Sequence, residues 1–434
     1  MSPSTTPFGA AAPFAEPLWY SRGVSPYYKE SHKRLRGEVR RYVDSSIMPF
    51  CEEWEGQGSI PRQVLDRHAQ LGYQAAAVYP LPGDMLDDIV LPAGIPSREW
   101  DAFHDLIVID EIARCGYLGV IWGLTCGNSI GCPPVVNFGS PEQKRRFLPA
   151  VYSGKARFCL GVTEPDAGSD VANITTTAER KGDVYVVNGA KKWITNGMTA
   201  DFVTAAVRTG GAGKDGISAL VIPLGAPGVT RRHISNSGVH ASGSAYLDFD
   251  EVEVPAANLL GRQNEGFRII MSNFNHERLW LACTSLRMAR VCAEDAFAHA
   301  ASRETFGRKL IENQLIRAKV SSFGRSIEPA HAYMEQLVHV LRETKDPAAL
   351  QDLWVGGLIA NLKVAAGRVL EHVNREAQQV MGGLGYSKTG KGARIEQISR
   401  DVRVMVVGGG SEEILQDLAV VQEMKASRAR VQKL

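Results

Sequence analysis

Apolar positions change their spacing twice along the chain, and the two changes divide it. From Glu30 to about residue 149 the spacing is helical. Leu35, Val39 and Val43 recur at every fourth position beside a basic face, as the buried stripe of an amphipathic helix requires. Pro61–Leu71 and Asp101–Cys115 carry further helical runs. Ser140-Pro141-Glu142 opens another with an N-cap hydroxyl, a proline at the first helical position and a first-turn acid. From Arg157 to about residue 260 the apolar runs become short and alternating, with turn residues between them, which predicts strands. Val184–Val187 and Lys192–Thr195 are β-rich runs joined through Asn188-Gly189, a hairpin signal. From Glu265 onward helical spacing returns in long, proline-poor stretches. Helices, then strands, then helices is not the alternation of a parallel βαβ sheet. The expected fold class is mainly α with a central β domain. It divides into an irregular arm over residues 1–26, a helical domain over 27–155, a β domain over 156–262 and a C-terminal helical bundle domain over 263–434.

Composition narrows the function. A chain of 434 residues exceeds a single core, and 44% hydrophobic with 22% charged residues is ordinary for a globular protein. Lys+Arg 49 against Asp+Glu 47 leaves a net charge of +2, which favours neither nucleic acid nor a membrane surface. No apolar run is long enough for a membrane span. The seven cysteines are scattered with no CxxC pair, so a reduced intracellular compartment, cytoplasm or organelle matrix, is expected, and no metal site. The first 26 residues hold five prolines and only Arg22 as a positive charge, unlike a transit peptide or a secretory signal. An arm draped over a partner subunit is the expectation. Gln432-Lys433-Leu434 is similar to a peroxisomal Ser-Lys-Leu tail except at Gln432.

The chemistry concentrates in Phe158–Gly197. An apolar run, Phe158–Val162, suits a buried strand, and Pro165 ends the ladder after it. Gly168 lets backbone come close to a ligand, while Thr163 and Ser169 leave hydroxyls beside bare amides. Trp193 adds a large aromatic face next to Thr195. Together they suit a wall for a flat ligand with a polar edge. Thr163-Glu164-Pro165-Asp166-Ala167-Gly168-Ser169-Asp170 followed by Trp193-Ile194-Thr195-Asn196-Gly197 resembles the flavin-binding signature of the acyl-CoA dehydrogenase family. The resemblance implies that family's three-part fold, an N-terminal helical domain, a middle β barrel or sandwich and a C-terminal four-helix bundle, with FAD as cofactor. Leu160, Val162, Thr163, Gly168 and Ser169 would line the flavin, Trp193 would lie against its rings, and Ile194 and Thr195 would meet its edge. Gly211-Ala212-Gly213-Lys214-Asp215-Gly216 also matches GxGxxG, but the β-branched run Ile217–Ile222 follows it instead of a helix, so a hairpin tip is expected there.

More motifs of the same family follow in order, and the resemblance covers nearly the whole chain after the arm. Arg303-Glu304-Thr305-Phe306-Gly307 with Gln314 resembles the segment that reaches across a dimer to the flavin pyrophosphate and adenine. Gln379-Val380-Met381-Gly382-Gly383-Leu384-Gly385 is similar to the QxxGGxG loop that meets the adenine end. A homo-oligomer, a dimer of dimers, is implied. Arg400-Asp401 then leads into Gly408-Gly409-Gly410-Ser411-Glu412-Glu413, the place of the family's YEGTSQ, with Gly410, Ser411 and Glu413 on the cofactor side.

At that last motif the position of the usual catalytic glutamate holds Gly409. In the isovaleryl and long-chain branches the glutamate instead sits on the long helix after the β domain, before an arginine, and here Asn275-His276-Glu277-Arg278 stands at that place. Glu277 is therefore the expected base for α,β-dehydrogenation of an acyl thioester, with FAD taking the β-hydride. His276 is expected to pack or face solvent. Ser169, Asn275, Arg278 and Gly409 are the expected substrate neighbours. A desaturase of a carrier-protein-bound acyl group could share every motif, and a flavin oxidase or monooxygenase of this fold would need no base. Where the family reads KMGxRxSDT the chain reads Asn236-Ser237-Gly238-Val239-His240-Ala241-Ser242-Gly243-Ser244, leaving the acyl carrier open. The electron acceptor, a transfer flavoprotein or oxygen, is equally open.

Overall fold

The computed structural model describes residues 8–81, 89–344 and 353–431, without side chains at 353–354 and 429–431. The C-terminal Gln432-Lys433-Leu434 lies outside them. In the first helical region, α1 (Glu30–Ser46) buries Leu35, Val39 and Val43 against α2 (Ala102–Ala113). Asp101 caps α2 by accepting from Phe103 N at 3.0 Å. Ser140 and Gln143 form a reciprocal capping box that starts α3 (Pro141–Tyr152), satisfying amides the first turn cannot pair.

Eight strands follow: β1 (Phe158–Gly161), β2 (Thr177–Lys181), β3 (Val184–Ile194), β4 (Phe202–Arg208), β5 (Ile217–Pro223), β6 (Val229–His233), β7 (Ala245–Pro255) and β8 (Leu259–Leu260). They form one sheet in the order β6-β7-β3-β2-β4-β5-β8, with β1 added parallel to β4. The Asn188-Gly189 hairpin does not occur. Both flanking runs belong to β3 and pair with the same strand, β7, through a bulge between Val187 and Gly189. Asn188 Nδ2 donates to Glu251 Oε1 at 2.6 Å, and Glu251 N donates back to Asn188 Oδ1 at 2.8 Å, so the turn-forming side chain pins the bulge instead. The hairpin lies earlier, where Lys181 pairs with Val184 across Gly182-Asp183, with Gly182 at φ +64°. Residues 211–216 do form the tip between β4 and β5, held by Arg208 Nη1 on Gly211 O at 2.6 Å. Because most of that tip is exposed, brief proteolysis should cut it first. Electrophoresis and mass spectrometry of the early fragments check this, and a first cut inside residues 266–302 would contradict the long helix there.

The C-terminal helices are α4 (Gly266–Ser302), α5 (Gln314–Glu343), α6 (Leu353–Met381), α7 (Ala393–Val407) and α8 (Glu412–Val431). Helix α4 is buried along most of its circumference, and the arginines it buries, Arg287 and Arg290, are paired with Asp110 and Glu328. It runs from the sheet, where Ile270 packs with Leu160 and Val162, into the large core shared with α2 and α6.

The described part of the N-terminal arm, residues 8–26, is docked on its own chain. Trp19 and Tyr20 are buried, Trp19 stacks on Tyr28 at 3.8 Å, and the Arg36 guanidinium lies 3.8 Å from the Phe8 ring centroid. Glu16 accepts from Arg40 Nη1 at 2.7 Å and from Arg287 Nη1 at 2.9 Å, which ties the arm to α1 and α4. Aromatic side chains between the prolines supply the apolar area that a proline count hides.

Candidate active site

One wall of the site is the turn after β1. Leu160 and Val162 point into the cluster with Ile270, so a ligand here would meet their backbone; Ile194 is likewise buried. Thr163 is half-buried, Gly168 and Ser169 are exposed, and Thr163 O accepts from Lys192 N at 2.8 Å. Trp193 is 54% exposed with φ +65°, its indole presented to solvent beside a half-buried Thr195. A strained backbone that displays a large aromatic face is a common mark of a ligand surface.

Beneath this wall lies an ion pair that the motif reading passed over. Lys191 Nζ, fully buried, donates to Glu164 Oε1 at 2.7 Å and Val162 O at 3.2 Å. Glu164 also accepts from Thr175 N at 2.6 Å and Thr176 N at 3.0 Å. Burial opposes its ionisation, yet the Lys191 ammonium and these donors outweigh that cost and pull its pKa down to about 2. Asn196 does similar work. Its Oδ1 accepts from Gly127 N at 2.8 Å, and its Nδ2 donates to Ser242 O at 2.8 Å. Gly127 follows a π-helical turn, Trp122–Cys126, and a β-carbon there would lie 2.4 Å from Phe158 O, so the helix rests directly on β1.

The second wall is where α4 meets the loop after α7. Glu277 is half-buried as a residue, but its Oε2 is closed to solvent and has no hydrogen-bond partner. A β-carbon built on Gly409, whose φ is +66°, would lie 3.5 Å from Glu277 Oε1 and 2.8 Å from Leu281 Cδ1. The glutamate on α4 thus reaches the space that a side chain at 409 would fill. Arg278 Nε donates to Gly409 O at 2.8 Å and fixes that loop against α4. Burial is the main cause that raises the Glu277 pKa to about 7, against the opposing charges of Arg278, Lys363 and His276. Lys363, also passed over by the motif reading, is buried on α6 and donates to carbonyls on both sides of Gly409.

The structure does not bring every expected residue here. Asn275 turns away, its Oδ1 2.9 Å from where a β-carbon on Gly356 of α6 would be. His276 is neither solvent-facing nor a plain packing residue. It is buried and shares a hydrogen with Asp105 Oδ2 of α2 at 2.9 Å. Ser411 and the exposed Glu413 lie at the start of α8, with Gly410 half-buried before them.

A third place gathers the remaining motif residues. His299, Arg303 and Leu310 face Val380–Leu384 across a cleft of about 460 Å³. Arg303 makes no ion pair among the described residues, and a β-carbon on Gly382 or Gly383 would meet only open space. Free guanidinium donors beside bare backbone suit a pyrophosphate. Exposed Gln314 and Gln379 adjoin the segments that line this cleft. Thr305 and Phe306 form the tip of a two-stranded hairpin, Glu304–Thr305 with Arg308–Lys309, and Phe306 is wholly exposed there. No residue of the cleft comes from Phe158–Gly197, so the two surfaces are separate on one chain.

A possible metal cluster, His32, Asp101 and His104, resolves into helix caps. Lys29 N donates to His32 Nδ1 at 2.8 Å, which leaves Nε2 to carry the proton toward Asp101 Oδ1 at 2.9 Å. A protonated nitrogen does not ligate a metal.

Comparison with known proteins decides the family. Residues 29–155, 159–252 and 264–423 match the N-terminal, middle and C-terminal domain models of acyl-CoA dehydrogenases in turn. The chain belongs to the acyl-CoA dehydrogenase family. It is 52% identical over 419 residues to acyl-CoA dehydrogenase AFT10-1 of Alternaria alternata, covering 96% of this chain and 97% of that one. It is 41% identical to acyl-CoA dehydrogenase apdG of Emericella nidulans over 98% of both. Among solved structures, a probable acyl-CoA dehydrogenase from Mycobacterium abscessus superposes with a TM-score of 0.82 at 35% identity, over 91% of this chain and 99% of that one. Acyl-CoA dehydrogenases are FAD-dependent oxidoreductases, and the wall at Trp193 and the cleft at Arg303 fit the two ends of that cofactor. The family's overall fold is as the sequence led us to expect. No helix among the described residues is long and apolar enough to cross a membrane.

Proposed function

We propose that the protein dehydrogenates an acyl thioester between Cα and Cβ, with Glu277 removing the α-proton. The supporting observation is that Glu277 Oε1 lies 3.5 Å from where a β-carbon on Gly409 would stand. FAD, when bound, supplies the acceptor for the β-hydride. Every other part of the chemistry belongs to the chain. Glu277, with its proton affinity raised to about 7, is basic enough to take a weakly acidic proton, and about half of it is ionised at neutral pH. Its unpartnered Oε2 is free to receive that proton. Charge that develops on the thioester oxygen needs a donor, and the Gly409 N–H, in the loop that meets Glu277, has no backbone partner among the described residues. Such a donor is worth about 3–4 kcal/mol in acyl chemistry.

The relatives named for acyl-CoA point to coenzyme A as carrier, and a similar solved structure described as an electron-transferring flavoprotein study points to that kind of acceptor rather than oxygen. Anaerobic titration of the purified holoprotein with butyryl-, isovaleryl-, glutaryl- and palmitoyl-CoA, followed by flavin bleaching, tests this. Stoichiometric bleaching by at least one thioester supports dehydrogenation. No bleaching by CoA thioesters, with bleaching by acyl-pantetheine on a carrier protein, moves the assignment to a carrier-bound desaturase.

The separation of the Trp193 wall from the Arg303 cleft suggests that each flavin is held by two chains of an oligomer, a dimer of dimers. Arg303→Ala, which removes a charge-assisted phosphate contact, should weaken FAD binding about 10–100-fold and loosen assembly with it. Flavin fluorescence on dilution and sedimentation velocity read the two effects together. A stable FAD-loaded monomer would contradict the shared site.

A further inference from the structure

Lys363 is 2% exposed on α6, where an ammonium is costly unless something holds it. Its Nζ donates to Val406 O at 2.5 Å and to Gly410 O at 2.9 Å. Those carbonyls bracket Gly408-Gly409, and Arg278 Nε of α4 donates to Gly409 O at 2.8 Å. The loop itself has no side chains with which to pack. Gly409 and Gly410 hold φ +66° and +111°, conformations open to glycine, so the unbound loop would sample many backbone states. Two cations from two helices therefore do the fixing that side chains do elsewhere. The charged and titratable groups around Glu277 are His276 and Arg278 from α4, Lys363 from α6 and the Cys126 thiol from the π-helical turn. Lys363 in turn is within reach of Glu277, Arg278 and Glu412 of α8.

We propose that Lys363 is the positioning residue of the proton-transfer site, clamping the Gly408–Gly410 loop through two carbonyls and supplying a fixed cation beside the Glu277 carboxylate. Lys363 has this role only if Glu277 is the base. It does not touch the reacting carbon. Its cation favours the ionised form of Glu277, which is the form that accepts a proton, and its hydrogen bonds set how closely the loop presses the substrate against α4. Burial lowers the pKa of Lys363 itself to about 8, against the pull of Glu277. Both titrations then shape the rate. Glu277 must lose a proton as pH rises through about 7, and Lys363 must keep its own as pH approaches about 8.

Three variants separate bracing from charge: Lys363→Met removes both, Lys363→Gln keeps a donor without charge, and Lys363→Arg keeps the charge. The probe is whichever thioester of the panel above bleaches wild-type flavin fastest. In Lys363→Met and Lys363→Gln the acidic limb of kcat/KM should move upward by about 1 pH unit or more, because an opposite charge nearby lowers a carboxylate pKa by that order. In Lys363→Arg the acidic limb should stay and the alkaline limb should disappear, since a guanidinium does not titrate there. Amide hydrogen exchange of the 405–411 segment, measured without substrate, should rise about tenfold in Lys363→Met and less in Lys363→Gln. A wild-type acidic limb and wild-type exchange in both uncharged variants would overturn the role of Lys363. Should that happen while Glu277→Gln is inactive, only the lysine's role fails. Should Glu277→Gln reduce flavin like wild type, both fail together. If Lys363→Met does not fold, the comparison of Gln with Arg still decides the charge.

Discussion

Replacing Glu277 with glutamine should abolish nearly all flavin reduction by the best thioester while leaving the protein folded and loaded with FAD. Glutamine keeps the size of the side chain and a hydrogen-bonding oxygen but cannot accept a proton. Loss of a positioned general base costs about 10²–10⁴ in rate. Flavin absorbance should change little, because the cleft at Arg303 and the wall at Trp193 lie on other residues, and thioester affinity should change little because glutamine keeps the size of the side chain. Wild type should gain activity as pH rises through about 7, following ionisation of Glu277, and the glutamine variant should show no such limb. Moving the carboxylate to Gly409 should not restore the rate unless Leu281 is also shortened. A β-carbon at 409 would stand 2.8 Å from Leu281 Cδ1 on a backbone at φ +66°, a conformation unfavourable for any residue with a β-carbon. Stopped-flow absorbance at the flavin band, compared across pH, checks these expectations.

The second large effect is structural. Lys191→Met should destabilise the protein by about 3–5 kcal/mol, since it leaves the Glu164 carboxylate buried without its cation. That is a large fraction of the roughly 5–15 kcal/mol that holds a folded chain. The pH dependence has a definite sign. Glu164 has its pKa depressed from 4.5 to about 2 in the folded protein, so its contribution is present above the unfolded value and is lost as pH falls through about 5 to 2. Wild type should therefore lose stability steeply in that window, and Lys191→Met should lose less of it. The Thr163–Asp170 turn rests on this pair, so FAD content should fall together with melting temperature. Thermal melts from pH 7 to pH 3, with flavin content measured on the same samples, are the check. An unchanged melting temperature at pH 7 would show that the pair contributes nothing to holding the turn.

Some of this was legible in the residues and some was not. The blocks of helix and strand followed from apolar spacing because amphipathic periodicity is a local property. The Ser140 cap followed for the same reason, since the whole box spans four positions. The hairpin was misplaced because Asn188-Gly189 gives a strong local turn signal, whereas strand register is decided by pairing with β7 some sixty residues later. In the arm, prolines argued for irregular chain, but Trp19 and Tyr20 found Arg36 of α1, and Tyr20 and Glu16 found Arg287 of α4 far along the sequence. Lys191 and Lys363 read as ordinary solvated lysines until folding places them beside Glu164 and the glycine loop. Asp401 is similar: its carboxylate, pushed up to about 7 by burial and by neighbouring Glu55, accepts from Leu118 N and Val239 N and so joins all three domains. Such long-range pairs leave no periodic trace. Glu277 stands out as the candidate base because a missing side chain at Gly409 and an acid before Arg278 are visible together only when a motif is compared with its family.

The most direct test is to follow the α-hydrogen itself. Holoprotein is mixed anaerobically in deuterium oxide with the thioester that bleaches its flavin fastest, and nuclear magnetic resonance reads deuterium entering the α-position of recovered substrate alongside formation of the α,β-unsaturated product. Wild type should remove the α-proton, giving product and α-deuterated substrate, and Glu277→Gln should give neither above the rate in buffer. Wild-type loss of the α-hydrogen in the Glu277→Gln variant would contradict Glu277 as the base.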